Sequence, residues 1–322
     1  MEINDGAQKI VGTCLDIKEG ESVLIVSDPY SPSSVNEALF KASENRGASA
    51  SVLVMPSAKL PGEEPGKVVA AAIEAADVII ATTSQTIGHS SCLQRALQGG
   101  ARAVVLTGCD EATFQRGGIE ADFKALHEVV NYVKERFNQA KEVEVISPGG
   151  TSLRLSVEGR QARACTGLCH HPGEMTGFPD VEVYIAPVEN STCGKLVVDA
   201  SCSSLGLVRK PVSIDIKDGR VTKISGGPEA EKINKILDEA GDDNVYVIGE
   251  FAIGLNPCSE VTGNIIEDEG KYGTGHFCLG NNINFGGKNW APIHLDLVYW
   301  RPTISLDNQP FMKGGVICKN IS

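Results

Sequence analysis

The sequence lacks the features that would carry a chain into a membrane or onto nucleic acid. None of its apolar runs approaches the ~20 residues that a membrane-spanning helix needs. Lys and Arg number 29 against 41 Asp and Glu, which gives a net charge of -12. A nucleic-acid surface needs a concentrated basic patch. We therefore expect neither a membrane nor a nucleic-acid partner.

A secretion signal and a disulfide framework are also missing. The start, "MEINDGAQKIVGTCLDI", has no basic segment followed by an apolar core. The ten cysteines are irregularly spaced, which favours reduced thiols. We therefore expect a cytoplasmic protein.

One cysteine-rich stretch needs separate treatment. "CTGLCHH" places Cys165, Cys169, His170 and His171 close together, but a structural zinc site usually shows two such pairs. Metal ligation and a loop of small residues and histidines both remain open here.

The first ~140 residues alternate between apolar, β-branched runs and helical periodicity. Strands are predicted at 22–27, 49–55, 77–83 and 102–108, and helices at 33–47, 65–76, 90–101 and roughly 119–140. Strands separated by helices predict a doubly wound, mostly parallel sheet, with both faces of each strand buried. The fold class is therefore α/β.

From about residue 141 the pattern changes to short strands with Gly, Asp-Gly and Pro turns, interrupted by one predicted helix at 227–241. We predict two domains. Residues 1–142 form a Rossmann- or flavodoxin-like α/β domain, and residues 143–322 form a β-rich metal-binding domain.

The segment "IHLDLVYW" contains two polar groups in an apolar strand. His294 and Asp296 are two residues apart, so they point to the same face of a strand. A buried carboxylate needs a partner. Either the two side chains satisfy each other, or they bind a cation.

Three further groups lie in similar surroundings. Glu250 is in "VYVIGEFAIGLNP", His276 in "KYGTGHFCLGNN" and Glu182 in "FPDVEVYIAPVEN". Each alone has an ordinary alternative, such as an exposed strand glutamate or a core histidine. As a set with His294 and Asp296, they are typical of a divalent metal site, because a cation offsets the cost of burying them.

The segments "GEFAIGLNP", "GNIIEDEGKYGTGHFCLGNN" and "FGGKNWAPIHLDL" resemble the C-terminal half of the thermophilic-type metallo-aminopeptidases (aminopeptidase T, or leucyl aminopeptidase, type). "FPDVEVYIAPVENSTCGKLVVD" is similar to another segment of that family. The resemblance implies two divalent ions held by Glu182, Glu250, His276, His294 and Asp296. It also implies a homodimer. The family has a tyrosine near the position of Ile283, which is missing here.

The chain also resembles 2,5-dihydroxypyridine 5,6-dioxygenase, a relative of similar length that uses a single Fe(II). That resemblance implies a histidine at the position of Glu250, and it matches His294 and Asp296 as ligands. "TIGHSSCL" is similar to a segment that carries a histidine of the N-terminal domain. This makes His89 a candidate acid/base.

Three functions follow from these patterns. The leading prediction is an aminopeptidase-like hydrolase with Zn, Co or Mn, possibly two per chain, acting on a small molecule or short peptide. In this mechanism Glu182 or Glu250 accepts a proton from the water, and His89 protonates the leaving group. The alternatives are an Fe(II) ring-cleaving dioxygenase of the dihydroxypyridine type and a non-catalytic metal or small-molecule binding protein.

Overall fold

The computed structural model describes residues 1–59 and 62–318, and its contacts divide the chain into two compact units. Unit 1 is Met1–Ala125 with Cys165–Asp180, and unit 2 is Leu126–Ala164 with Val181–Ser322. The chain thus crosses between the units three times, and the predicted boundary at 142/143 stays a prediction. Which segments fold as independent domains stays a prediction.

The helices of unit 1 alternate with its strands, and the later helices are isolated in β-rich sequence. They are α1 (Ile3–Lys9), α2 (Ser33–Glu44), α3 (Lys67–Ala75), α4 (Ser91–Gln98), α5 (Phe123–Gln139), α6 (Pro228–Ala240) and α7 (Ile265–Asp268). A π-helical turn (Ile10–Cys14) continues α1. Short 3₁₀ turns occur at Ala112–Phe114, Gly117–Glu120, Asp243–Tyr246 and Ile283–Phe285.

The strands are two to seven residues long. They are β1 (Ser22–Ser27), β2 (Ser49–Val54), β3 (Val78–Ala81), β4 (Arg102–Val105), β5 (Glu142–Ile146), β6 (Ser152–Ser156), β7 (Arg163–Cys165), β8 (Met175–Gly177), β9 (Glu182–Ile185), β10 (Cys193–Val198), β11 (Ser201–Cys202), β12 (Gly206–Leu207), β13 (Val212–Lys217), β14 (Arg220–Ser225), β15 (Ile248–Gly254), β16 (Thr274–Gly280), β17 (His294–Trp300), β18 (Thr303–Leu306), β19 (Gln309–Lys313) and β20 (Val316–Ile317).

Unit 1 contains a five-stranded sheet in the order β2-β1-β3-β4-β8, with every pair parallel. Strands β3 and β4 are buried throughout, as the apolar runs predict. The prediction of two buried faces is wrong for the edge strand β2, where Val52 and Val54 are exposed. The predicted α/β class with a doubly wound parallel sheet is confirmed.

Unit 2 is dominated by antiparallel pairs. One sheet has eight strands in the order β14-β13-β10-β6-β5-β18-β19-β20, and a second sheet has the order β12-β11-β17-β16-β15-β9-β7. Helix α6 begins with Pro228 in its first turn and ends at Gly241 in the left-handed conformation, as the sequence signals predict. Across residues 1–59 and 62–318, no helix is long and apolar enough to cross a membrane.

Candidate metal centre

Four neighbouring strands of unit 2 bring the predicted donor residues onto one face of a sheet. Cross-strand partners in an antiparallel pair share a face. Glu250 of β15 is opposite Cys278 of β16, which is opposite Asp296 of β17. His276 is two residues from Cys278 on β16 and therefore points the same way. Glu182 of β9 pairs with Gly254 of β15 and joins the same face, because Gly254 is four residues from Glu250.

The donor atoms are within reach of a shared ion. His294 Nε2 is 3.1 Å from a Glu250 oxygen and 3.2 Å from an Asp296 oxygen. His276 Nε2 is 3.4 Å from Glu182 and 3.9 Å from Glu250. Within the described residues, Glu182, Glu250 and His276 form one cluster in which the donor atoms all lie within 4.8 Å. Glu250, His294 and Asp296 belong to another, so Glu250 joins the two.

The hydrogen-bond partners of His294 indicate a positive charge at or beside its ring. Its Nδ1 is 2.8 Å from the Asn281 carbonyl oxygen, which can only accept, so Nδ1 carries the proton. Nε2 then faces the carboxylates of Glu250 and Asp296, which also only accept when ionised. Either the ring is an imidazolium, or Nε2 ligates a cation. A histidine that donates its second N–H to a carbonyl is the usual arrangement of a metal ligand.

The pKa values of His294 and Asp296 are shifted by the same contacts. Burial alone would lower the pKa of His294, but the neighbouring Cys278 and Asp296 side chains raise it well above its ordinary value. Burial alone would raise the pKa of Asp296, but the His294 ring holds it below its ordinary value. The carboxylates around His294 therefore favour a positive charge at this position.

His276 is the second histidine of the site and is only 1% exposed. Its Nδ1 has no hydrogen-bond partner among the described residues, which is costly for a buried ring nitrogen. Burial lowers the pKa of His276 below its ordinary value, so the ring is neutral near pH 7. A neutral imidazole beside Glu182 and Glu250 has the donor chemistry of a divalent-metal ligand.

Large apolar side chains support the opposite face of the same strands. Phe251 of β15 and Phe277 of β16 have ring centroids 5.2 Å apart, and Tyr299 of β17 continues the column at 5.9 Å. Phe137 of α5 packs on Phe251 at 5.5 Å. These residues are at most 1% exposed, so a buried aromatic core supports the strands that carry the candidate donors.

A loop after β16 covers one side of His294. Phe285 stacks on the His294 ring with centroids 4.7 Å apart and an interplanar angle of 10°. Tyr184 of β9 meets Phe285 edge-on at 5.3 Å. Ile283, at the position where the aminopeptidase resemblance implies a tyrosine, is instead half exposed. No sequence pattern predicted the stack of Phe285 on His294.

Two charged side chains hold this loop. Arg160 Nη1 donates to the Gly286 carbonyl at 2.6 Å, and its other terminal nitrogen donates to Glu189. Glu189 also accepts the Lys288 N–H at 2.6 Å. Because Gly286 and Lys288 are one and three residues after Phe285, Arg160 and Glu189 fix the segment that presents Phe285 to His294.

Sequence reasoning missed two more residues of the site. The Cys278 sulfur belongs to the cluster of Glu250, His294 and Asp296, and Glu269 forms a cluster with His276 and Asp296. Burial, together with the neighbouring carboxylates, raises the pKa of Glu269 well above its ordinary value. The i, i+2 rule applied to His276 would have found Cys278.

Two further predicted features are His89 and the cysteine-rich stretch 165–171. His89 belongs to unit 1, in the turn before α4, and its side chain is exposed, so its acid/base role stays a prediction. In the cysteine-rich stretch, the Cys169 thiol donates to the Ala103 carbonyl at 3.3 Å, and His170 Nε2 is 2.8 Å from the Thr13 carbonyl. Backbone partners thus occupy the side chains of Cys169 and His170, which favours the structural reading for these two residues.

Comparison with known proteins reveals one family over nearly the whole chain. The family model described as NicX, 2,5-dihydroxypyridine 5,6-dioxygenase, matches residues 7–319. The 2,5-dihydroxypyridine 5,6-dioxygenase of Pseudomonas putida KT2440 is 27% identical over 256 residues, which cover 76% of this chain and 71% of that protein.

Solved structures show the same fold. The 2,5-dihydroxypyridine dioxygenase structure from P. putida KT2440 has a TM-score of 0.85 at 22% identity, covering 99% of this chain and 97% of the other. AmpT from Thermus thermophilus has a TM-score of 0.72 at 17% identity, covering 98% of this chain and 99% of the other. The aminopeptidase likeness is therefore one of fold.

These findings correct the functional prediction. The metallo-hydrolase reading, with its aminopeptidase-like cleavage of an amide bond, is wrong, because the family match and the P. putida relative both indicate the dioxygenase alternative. A divalent metal remains consistent with the donor clusters. The match over residues 7–319 places the chain in the 2,5-dihydroxypyridine 5,6-dioxygenase family.

Proposed function

We propose that the protein is a non-haem Fe(II) dioxygenase that opens the ring of a dihydroxylated pyridine. The family match supports this reaction class, and the name of the P. putida relative supports the substrate class. The observation that carries the metal site is the pair of contacts at His294. Its Nδ1 is committed to a carbonyl, and its Nε2 faces two carboxylates.

His294, Asp296 and Glu250 are the residues that would hold the iron. One imidazole and two carboxylates differ from the two-histidine, one-carboxylate set that is common in such enzymes, and they are more anionic. The dioxygenase resemblance implies a histidine where Glu250 stands. When bound, ferrous iron would supply the one-electron chemistry that dioxygen needs to react with an organic ring.

The chain's own residues prepare this centre for the substrate. Asn281 holds the His294 proton on Nδ1, and Ser203 Oγ accepts the Asp296 N–H at 3.0 Å, which fixes the backbone beside the carboxylate. The buried Glu182 carboxylate is the group we assign to accept a proton from a substrate hydroxyl. His276, whose Nε2 is 3.4 Å from a Glu182 oxygen, would hydrogen-bond to the Glu182 carboxyl group.

Several predictions remain open within this proposal. We take one iron per chain as the working stoichiometry. A second ion at Glu182 and His276 stays a prediction, as do the homodimer, the cytoplasmic location and the absence of a nucleic-acid partner.

The test is anaerobic reconstitution of metal-free protein with Fe(II), followed by addition of 2,5-dihydroxypyridine and air-saturated buffer. We expect one dioxygen consumed per ring opened, recorded with an oxygen electrode and by loss of the ring's ultraviolet absorbance. Iron content by mass spectrometry on the same sample counts the ions per chain.

Two controls make the test decisive. Protein loaded with Zn(II) should bind metal without consuming dioxygen, because zinc has no redox chemistry. A fully iron-loaded, folded protein that consumes no dioxygen with 2,5-dihydroxypyridine or its dihydroxylated ring isomers would refute the proposal.

A further inference from the structure

Cys278 lies at the centre of the donor face. On β16 it is directly opposite Glu250 on one side and Asp296 on the other. The residue is completely buried. Its sulfur and the donor atoms of Glu250, His294 and Asp296 all lie within 4.8 Å of one another. Donor atoms at these separations can bind a single ion.

Besides its interaction with the side chain of His294, the thiol makes only one weak hydrogen bond. Its sulfur donates to the Leu279 carbonyl of the next residue at 3.1 Å, a weak bond that the strand does not need for its own pairing. Cys202 of β11 is a useful comparison, because it is also buried but pairs with Leu297 on the apolar face. Among the described residues, the donor clusters contain Cys278 and not Cys202.

We propose that Cys278 is a sulfur ligand of the metal held by His294, Asp296 and Glu250. This inference rests on the metal site of the proposed function and adds a fourth, softer donor from the sheet itself. A thiolate favours Fe(II), Co(II) and Zn(II) over Mg(II) and Ca(II). Cys278 therefore sets the metal preference of a site whose other ligands would suit hard cations.

The experiment is an anaerobic titration of metal-free protein with Co(II), followed by absorption spectroscopy. Cobalt bound to a thiolate shows an intense near-ultraviolet charge-transfer band, whereas oxygen and nitrogen ligands give only weak visible bands. We expect this band in the wild-type protein and its loss in Cys278→Ser, with cobalt still bound. Cys202→Ser, the matched buried cysteine on the opposite face, should keep the band.

The outcomes separate this inference from the proposed function. Wild-type protein that binds cobalt without the band would overturn the sulfur ligand and leave the metal site standing. Wild-type protein that binds no cobalt would overturn both. Should Cys278→Ser fail to fold, ¹¹³Cd NMR of the wild-type protein decides, since a sulfur ligand moves the cadmium resonance well downfield. A resonance in the range of oxygen and nitrogen sites would refute the inference.

Discussion

The loop that carries Phe285 depends on one buried arginine. Arg160 joins the Gly286 carbonyl to the Glu189 carboxylate, and its side chain is only 10% exposed. The substitution Arg160→Met keeps much of the apolar stem and removes the guanidinium. We expect the segment 281–290 to open more often, because two charged hydrogen bonds disappear and Glu189 loses its counter-charge.

The magnitude follows from the burial of the pair. Breaking a fully buried ion pair costs about 3–5 kcal/mol. The Glu189 side chain is 22% exposed and keeps its hydrogen bond from the Lys288 N–H. Loss of the Arg160 partner therefore costs less than it would for a fully buried pair. We expect the local opening free energy to fall by about 2 kcal/mol, which corresponds to roughly 30-fold faster amide exchange.

Hydrogen exchange measured by mass spectrometry on peptides that cover 281–290 is the assay. Arg154→Met is the matched control, because Arg154 pairs with Glu144 on the surface, where the two side chains are 69% and 39% exposed. Such exposed pairs contribute about 0–1 kcal/mol. Exchange in 281–290 that is the same in Arg160→Met and Arg154→Met would refute the reasoning.

Two further predictions test the metal site and the stability of unit 1. His294→Ala should bring iron content by mass spectrometry to the level of metal-stripped protein, whereas the exposed His127→Ala on α5 should keep it; an iron-loaded, active His294→Ala protein would contradict the assigned ligand. Glu21→Gln should lower stability at pH 7 by about 2–3 kcal/mol, because the side chain of Arg102, 10% exposed, loses a bidentate partner at 2.9 and 3.0 Å. Burial alone would raise the pKa of Glu21, but hydrogen bonds from Arg102 hold it below its ordinary value. The stabilisation is therefore present above the unfolded pKa of about 4.3 and is lost as pH falls through the lower folded pKa. Thermal melting should show the two proteins converging under acid, and a difference unchanged by pH would rule this out.

The fold of unit 1 was predictable where local pattern decides structure. Strands β1, β3 and β4 and the helices between them follow from apolar periodicity. Strand β8 was not predictable, because Met175–Gly177 is a three-residue segment that joins the sheet beside Arg102–Val105, about seventy residues earlier. Nothing periodic marks such a short strand.

The candidate donor residues were recognisable because each is a polar group that is costly to bury in an apolar strand. Glu250 and His276 stand out in this way. Glu269 did not, because "IIEDEG" reads like the solvated end of a helix. Only the fold shows that the neighbouring Asp268 accepts the Thr262 and Gly263 N–H groups and thereby anchors this turn.

The reaction itself was not readable from the ligands. Carboxylates and imidazoles hold ions for hydrolysis and for dioxygen chemistry alike, so the count of donors misled the prediction toward a hydrolase. What distinguishes the reactions is how a substrate is presented to the metal, and no short motif in the sequence encodes that.

The two faces of the donor sheet can change independently over evolution. Residues of β15, β16 and β17 alternate between the face of the candidate metal donors and the face with the aromatic column of Phe251, Phe277 and Tyr299. Exchange of a candidate donor such as Glu250 for another donor would therefore leave the aromatic column on the opposite face in place. Such a scaffold allows the chemistry of the site to diverge while the fold stays constant. The fold that this chain shares with AmpT is consistent with such divergence.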